Sequence, residues 1–178
     1  MFAGEAIEAT PFYDLECEMA VLGAIFINVP EMTDLAMQRL RPHWFHNPRH
    51  TEIFAAIRAL WQNRHNDGEI VRIDTITVSH QLRRLGAWRD DSAAHLTGCA
   101  QSCPTAYAMP SYLKILDECA ARRQLHELGI ALQSHASEPE TRRTDVTAAQ
   151  LINAAKRVLD SIETGECLDV NELLENGK

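Results

Sequence analysis

The sequence predicts an all-α protein, a globular bundle of about six helices followed by a long antiparallel helical hairpin. Through most of the 178 residues, apolar side chains recur three and four positions apart, the spacing of amphipathic helices. No convincing alternation typical of a strand occurs, because the only candidate, 70–73, is short. Proline, glycine and asparagine divide the apolar stretches into separate segments. These three observations favour helices joined by short turns.

The globular part is predicted over 11–110, after a loose leader at 1–10. Asp14 can cap a first helix, whose apolar face is formed by Leu15, Met19, Leu22 and Phe26. Gly23 inside this helix costs about 1 kcal/mol relative to alanine, and we expect it where another helix approaches closely. A second helix is predicted over 31–40.

Three more helices are predicted in the bundle. Asn47 followed by Pro48 is typical of a helix start. The apolar stripe of this third helix is the clearest in the chain and consists of Ile53, Phe54, Ile57, Leu60 and Trp61. Asp74 can cap a fourth helix that Gly86 closes, and 92–99 favours a short fifth.

The hairpin is predicted over 111–163, with its first arm at 112–136. At about 1.5 Å per residue this arm is roughly 37 Å long. The connection 137–145 contains Pro139 and five charged residues, through which a helix does not continue easily. Thr147 and Gln150 form a capping box at the start of the second arm.

Apolar residues in each arm alternate three and four positions apart, which predicts a seam between the two helices. The seam residues are Ala121, Leu125, Leu128, Leu132 and His135 in the first arm, and Ala148, Leu151, Ala155, Val158 and Ile162 in the second. Further apolar residues lie off the seam: Ile115, Leu116, Ile130, Ile152 and Leu159. They need either the preceding domain or another chain, and the sequence favours neither alternative. We expect the seam leucines, with Val158 and Ile162, to maintain the hairpin, and Ile130, Ile152 or Leu159 to lie at a subunit contact.

Composition and charge exclude several classes of protein. No apolar run approaches the roughly 18 residues of a membrane span, and the N-terminus lacks the pattern of a secretory signal. Five cysteines without disulfide-like spacing favour a reducing, cytoplasmic location. The net charge of −8 is concentrated at the ends, including an acidic linker or tail at 164–178. Between Arg39 and Leu159 there are 16 basic and 12 acidic residues, too weak an excess for a dedicated nucleic-acid binder.

No catalytic, cofactor or metal site is predicted. None of the eight glycines begins a phosphate-binding P-loop, so nucleotide hydrolysis by this chain is not expected. Two groups have potential metal ligands, and for both the sequence favours packing over metal binding: His43, His46 and His50, and His95, Cys99 and Cys103. The pair Arg122 and Arg123 could hold a carboxylate or phosphate, but solvation with local pairing to Asp117 or Glu118 is favoured.

Read in order, these residues resemble the N-terminal domain of the DnaB-type bacterial replicative helicases. The resemblance covers roughly 11–135, and it rests on several short matches: Pro11, Glu16-Cys17-Glu18, Val21-Leu22-Gly23-Ala24, Trp44-Phe45, His50, 53–57, 73–78, Leu82, Leu85-Gly86, Pro104-Thr105-Ala106, Tyr112 and 122–125. The chain departs from the family's pattern at 90–96, where a paired glycine and Tyr-Leu are common, and at Ala108 and Cys17. These departures suggest a divergent, phage- or plasmid-borne member.

The resemblance implies a function in DNA replication. In the family, helical hairpins pair between subunits and organise an N-terminal collar, a trimer of dimers, on the hexameric ring. The collar binds the C-terminal domain of primase and influences loading. The motor domain, which uses ATP and Mg²⁺, would follow a linker starting near Gly165. The chain is therefore expected to be a non-catalytic collar domain for subunit assembly and primase docking, with weak or absent DNA contact. The alternative is a stand-alone helicase-like module, a loader or inhibitor that acts on a host helicase.

Overall fold

The computed structural model describes residues 12–67, 72–137, 153 and 155–160. All regular structure in these ranges is helical, which confirms the predicted class. The helices are α1 (Leu15–Phe26), α2 (Pro30–Arg39), α3 (Pro48–Asp67), α4 (Thr75–Arg84), α5 (Ser92–Gln101) and α6 (Met109–Ser137), with short 3₁₀ turns at Pro42–Trp44 and Ala106–Ala108. Residues 155–160 form a further helical segment. None of the described helices is long and apolar enough to cross a membrane.

The predicted helix starts are confirmed by their hydrogen bonds. Asp14 accepts a bond from the backbone N–H of Cys17 at 2.9 Å, and Asp74 forms a reciprocal capping box with Thr77. Asn47 accepts from the backbone N–H of Arg49 at 3.0 Å. Each bond satisfies a donor that the first turn of a helix leaves without an intrahelical partner. After α4, Gly86 has a φ of +71°, the left-handed conformation that favours glycine after a helix end.

Helix α1 lies at the centre of the bundle and contacts α2, α3, α5 and α6. The close approach predicted at Gly23 is confirmed, and the partner is α5. A Cβ atom at this position would lie 2.2 Å from the carbonyl oxygen of Cys99 and 3.0 Å from Cβ of Cys103. Only a residue without a side chain lets the two helices pack at this distance.

The buried face of α6 includes the predicted seam residue Leu128 but not the seam residue Leu125. The residues that it buries are Met109, Leu113, Leu116, Cys119, Ala120, Gln124 and Leu128. Leu116, predicted to lie off the seam, is fully buried in the core of the bundle, whereas Leu125, predicted to lie on it, is 45% exposed. The core of the globular domain therefore covers α6 from Met109 to Ala120. The helix also starts three residues earlier than predicted, at Met109.

Several predictions lie outside the described residues. They concern the leader 1–10, the turn with its capping box at 138–150, and the acidic tail 164–178. Leu151, Ile152 and Ile162 also lie outside the described residues, while Leu132 belongs to α6.

Candidate functional site

The candidate interaction surface consists of the apolar residues that the chain leaves exposed beyond the globular bundle. Its described members are Leu125 and Ile130 on α6 and Leu159 in the 155–160 helix, and we call them the distal surface. Their exposed fractions are 45%, 54% and 52%. Leu128 and Val158, predicted to hold the hairpin together, are buried, with exposed fractions of 7% and 1%.

Arg123 is a structural residue rather than an anion site. Its guanidinium donates hydrogen bonds to three carbonyl oxygens: Phe12 at 2.7 Å, His43 at 2.9 Å and Trp44 at 2.8 Å. These bonds connect α6 to the segment before α1 and to the turn before α3. The guanidinium is therefore bonded to backbone carbonyls rather than to the predicted partners Asp117 and Glu118. Arg122, one residue earlier, is exposed.

A buried carboxylate, Glu18, joins α1 to the start of α3. Its Oε1 accepts from the backbone N–H of His46 at 2.7 Å, and its Oε2 accepts from that of Asn47 at 3.2 Å. Oε2 also lies 2.6 Å from Nδ1 of His50. Both side chains are almost fully buried. A carboxylate at a helix N-terminus satisfies free N–H donors and interacts favourably with the helix dipole.

The buried pair is not predicted from the sequence, although the sequence contains one signal of it. Glu18 follows Leu15 by three residues and precedes Leu22 by four, so it lies on the apolar face of α1 rather than on a solvated one. A carboxylate on an apolar face needs a partner, because burial without one is costly. The partner is 32 residues away in the sequence, which spacing alone does not reveal.

The three histidines at 43, 46 and 50 do not converge. His46 stacks on Tyr13 with ring centroids 4.4 Å apart, and His50 points to Glu18. Burial, together with the positive charges of Arg123 and Arg41, lowers the pKa of the half-buried His43. The residues therefore do not form the metal site that was considered for them.

The residues of the second group, His95, Cys99 and Cys103, do not all converge either. The thiol of Cys103 donates to the carbonyl of Thr105 at 3.1 Å. In its place, His50 joins His95 and Cys99, and the potential ligand atoms of these three lie within 4.8 Å of one another. The imidazole rings of His50 and His95 stack with centroids 5.0 Å apart. Because His50 lies on α3 and His95 and Cys99 lie on α5, no local sequence motif reveals the cluster.

A shallow surface pocket lies next to His95. Two ion pairs border it: Arg49 with Asp91, at 2.7 Å between Nη1 and Oδ2, and Arg89 with Glu52, at 2.7 Å between Nη2 and Oε1. The hydrogen bonds from Arg89 lower the pKa of Glu52, and those from Arg49 lower the pKa of Asp91. Since each arginine here has a carboxylate partner, the pocket presents paired charges.

The described residues form an all-α bundle that continues into the long helix α6. The model of the DnaB-like helicase N terminal domain family matches residues 10–118. The chain therefore belongs to the family of DnaB-like helicase N-terminal domains, which confirms the resemblance derived from the sequence.

Replicative helicases and a solved domain are similar to this chain. The replicative DNA helicase DnaC of Bacillus subtilis is 34% identical over 116 residues, which are 65% of this chain and 24% of that protein. The replicative DNA helicase DnaB of Leifsonia xyli is 29% identical over 156 residues, 87% of this chain and 32% of that protein. The chain thus spans a third or less of the length of these two relatives. The crystal structure of the N-terminal domain of DnaB helicase from Mycobacterium tuberculosis matches with a TM-score of 0.65 and 27% identity, over 86% of this chain and 99% of that one.

Proposed function

We propose that this domain is a non-catalytic collar of a replicative DNA helicase, which mediates subunit assembly and docks primase during DNA replication in the cytoplasm. Family membership supports the helicase context. In this proposal the domain binds no cofactor of its own, and ATP and Mg²⁺ act in a motor domain of the parent helicase. Direct DNA contact is weak or absent, and the domain does not bind membranes.

The observation that carries the assembly proposal is the distal surface. The first half of α6 buries Leu113 and Leu116 in the domain, whereas Leu125 and Ile130 in its second half are about half exposed. Five residues along a helix correspond to a rotation of about 140° around its axis. Leu125 and Ile130 therefore face different directions, and two neighbouring subunits rather than one could contact α6. Burial of these side chains between copies would contribute favourable free energy to association.

Light scattering of the purified chain tests the assembly proposal. We expect Ile130→Asp to lower the average mass at concentrations where the wild-type chain self-associates, because a charge would have to be buried at the contact. Glu127→Gln, an exposed position on the same helix, is the matched control and should leave the mass unchanged. A wild-type chain that stays monomeric, or an Ile130→Asp variant with the wild-type mass, would count against assembly through this surface.

Primase docking has a separate test. The purified chain is titrated with the C-terminal domain of the host primase, and complex formation is followed by the same measurement. A saturable complex supports the collar function. A folded, self-associated chain that forms no complex would contradict primase docking. The alternative, a helicase-like module that acts on a host helicase as a loader or inhibitor, would then be tested with that helicase as partner.

A further inference from the structure

We propose that His50, His95 and Cys99 form a binding site for a divalent transition-metal ion, with Zn²⁺ as the best-suited ion. The site is independent of assembly and primase docking, since it lies inside the globular bundle. Two imidazoles and one thiolate are ligands that Zn²⁺ commonly takes in proteins. The ion would connect α3, which provides His50, to α5, which provides His95 and Cys99.

The distances are compatible with a metal after a small contraction. The three ligand atoms lie within 4.8 Å of one another. Zinc–nitrogen bonds of about 2.0 Å and zinc–sulfur bonds of about 2.3 Å in a tetrahedral arrangement place neighbouring ligands roughly 3.3 to 3.5 Å apart. A closure of up to about 1.5 Å is therefore sufficient. His95 can supply much of it, because it is only partly buried and its ring lines the surface pocket.

Glu18 orients His50 in the way that metal sites use a carboxylate partner. The carboxylate lies 2.6 Å from Nδ1 of His50, so Nε2 remains as the ligand atom. A carboxylate bonded to the second ring nitrogen fixes the tautomer and increases the basicity of the ligating one. Nε2 of His50 is buried and has no hydrogen-bond partner among the described residues, and the same holds for Nε2 of His95. Two unsatisfied imidazole nitrogens beside a thiol are costly as packing alone, and a shared ion would satisfy them.

The charges balance when the ion binds. Burial raises the pKa of the Cys99 thiol to about 11, so the thiol carries its proton at neutral pH. On binding, the S–H bond breaks, a zinc–sulfur bond forms and the proton leaves to solvent. The thiolate and the Glu18 carboxylate then compensate the two positive charges of Zn²⁺. The nearby cation of Arg49 is already paired with Asp91, which reduces its repulsion of a metal ion.

The fourth coordination position would be taken by a ligand other than these three side chains. A zinc ion with three protein ligands usually completes its tetrahedron with water. Cys103 is not needed, since its thiol is engaged with the carbonyl of Thr105. Because the backbone of Cys99 also lies against Gly23, an ion here would hold α5 between α3 and α1.

Cobalt titration of the chelator-treated chain tests the site, because Co²⁺ replaces Zn²⁺ and reports thiolate ligation through its absorption. We expect a thiolate-to-cobalt charge-transfer band that saturates at one equivalent and that Zn²⁺ abolishes by displacement. Cys99→Ala should remove the band. His95→Phe, which keeps an aromatic ring stacked on His50, should weaken cobalt affinity at least tenfold, in line with the loss of one ligand.

Matched controls distinguish this site from other thiols. Cys103→Ala removes a buried thiol one turn away, and Cys167→Ser removes the cysteine outside the described residues; both variants should keep the band. The assignment is overturned by the lack of a band in the wild-type chain, by a band that survives Cys99→Ala, or by one that requires Cys103. If Cys99→Ala fails to fold, X-ray absorption of the zinc-loaded wild-type chain decides. One sulfur at about 2.3 Å with nitrogen at about 2.0 Å supports the site, and a shell without sulfur refutes it.

Discussion

The two halves of α6 differ in how far their large apolar side chains are buried, although Leu128 in the second half is also buried. In the first half, Leu113 and Leu116 are fully buried against the bundle, whereas in the second half Leu125 and Ile130 are about half exposed. Apolar periodicity predicts that both halves are helical, but it does not identify what covers each face. The first half is explained by the core of its own domain. The second half is covered less by that core, and the following changes should separate the two.

The largest expected effect comes from Glu18, which connects the core to the start of α3. Glu18→Ala leaves the backbone N–H groups of His46 and Asn47 and the ring of His50 without their acceptor. Removal of one partner from a buried charged network costs roughly 3 to 5 kcal/mol. Urea unfolding followed by circular dichroism should show a loss of this size. Glu16→Ala, at an exposed position on the same helix, should change the unfolding free energy by less than about 0.5 kcal/mol. Similar stability of both variants would contradict a structural role for the buried carboxylate.

The same glycine-to-alanine substitution can be made in the packed core and in the second half of α6, because each contains a glycine inside a helix. At Gly23 a Cβ atom would lie 2.2 Å from the backbone oxygen of Cys99, whereas at Gly129 in the second half of α6 nothing lies within 4 Å. Gly23→Ala should therefore cost about 1 to 3 kcal/mol, the range for an overpacked core. Gly129→Ala should stabilise by up to about 1 kcal/mol through helix propensity. Denaturant midpoints of the two variants measure both signs. If the Gly129→Ala variant is monomeric and less stable than the wild-type chain, the second half of α6 packs closely against another part of the same chain.

Arg123 marks the boundary between the two halves. Arg123→Ala removes three hydrogen bonds to the carbonyls of Phe12, His43 and Trp44. Since bonds from a charged donor contribute about 1.5 to 3 kcal/mol each and are not additive, we expect a loss of about 2 kcal/mol by thermal or urea unfolding. Arg122→Ala is the neighbouring control and should be nearly neutral. Equal effects of the two would show that charge, rather than these bonds, stabilises the junction.

The pH dependence of stability tests the contact between Arg123 and the segment around His43, and its expected effect is smaller. Burial and the cations of Arg123 and Arg41 lower the pKa of His43 from its usual 6.5, so the unfolded chain binds the proton more readily than the folded one. The contribution of His43 is therefore complete above pH 6.5 and is lost as the pH falls from there through the folded pKa. Unfolding of wild type and His43→Asn, compared between pH 7.5 and 5.5, should show a smaller loss for the variant. An equal loss would exclude His43 as the cause.

Local signals in the sequence predicted the helices and their ends well. Asp14, Asp74 and Gly86 act within a few residues of their positions, so their roles follow from nearby chemistry. Glu18 with His50, and Arg123 with the carbonyls of His43 and Trp44, join residues far apart in the chain. Such pairs depend on how helices pack, which spacing along one helix does not encode. The same reason explains why the cluster of His50, His95 and Cys99 was divided between two separate hypotheses.

The smallest expected effect on the folded chain is that of Ile130→Ser. Because Ile130 is 54% exposed, its replacement removes little burial within the chain, and the unfolding free energy at concentrations too low for association should change by less than about 0.5 kcal/mol. Leu116→Ser is the matched variant from the buried half of α6 and should cost at least about 2 kcal/mol, because a large apolar side chain is lost from the core. At higher concentration, Ile130→Ser should instead reduce self-association. A cost above 1 kcal/mol in the dilute chain would show that another part of the same chain covers Ile130, and the distal surface would then be intramolecular.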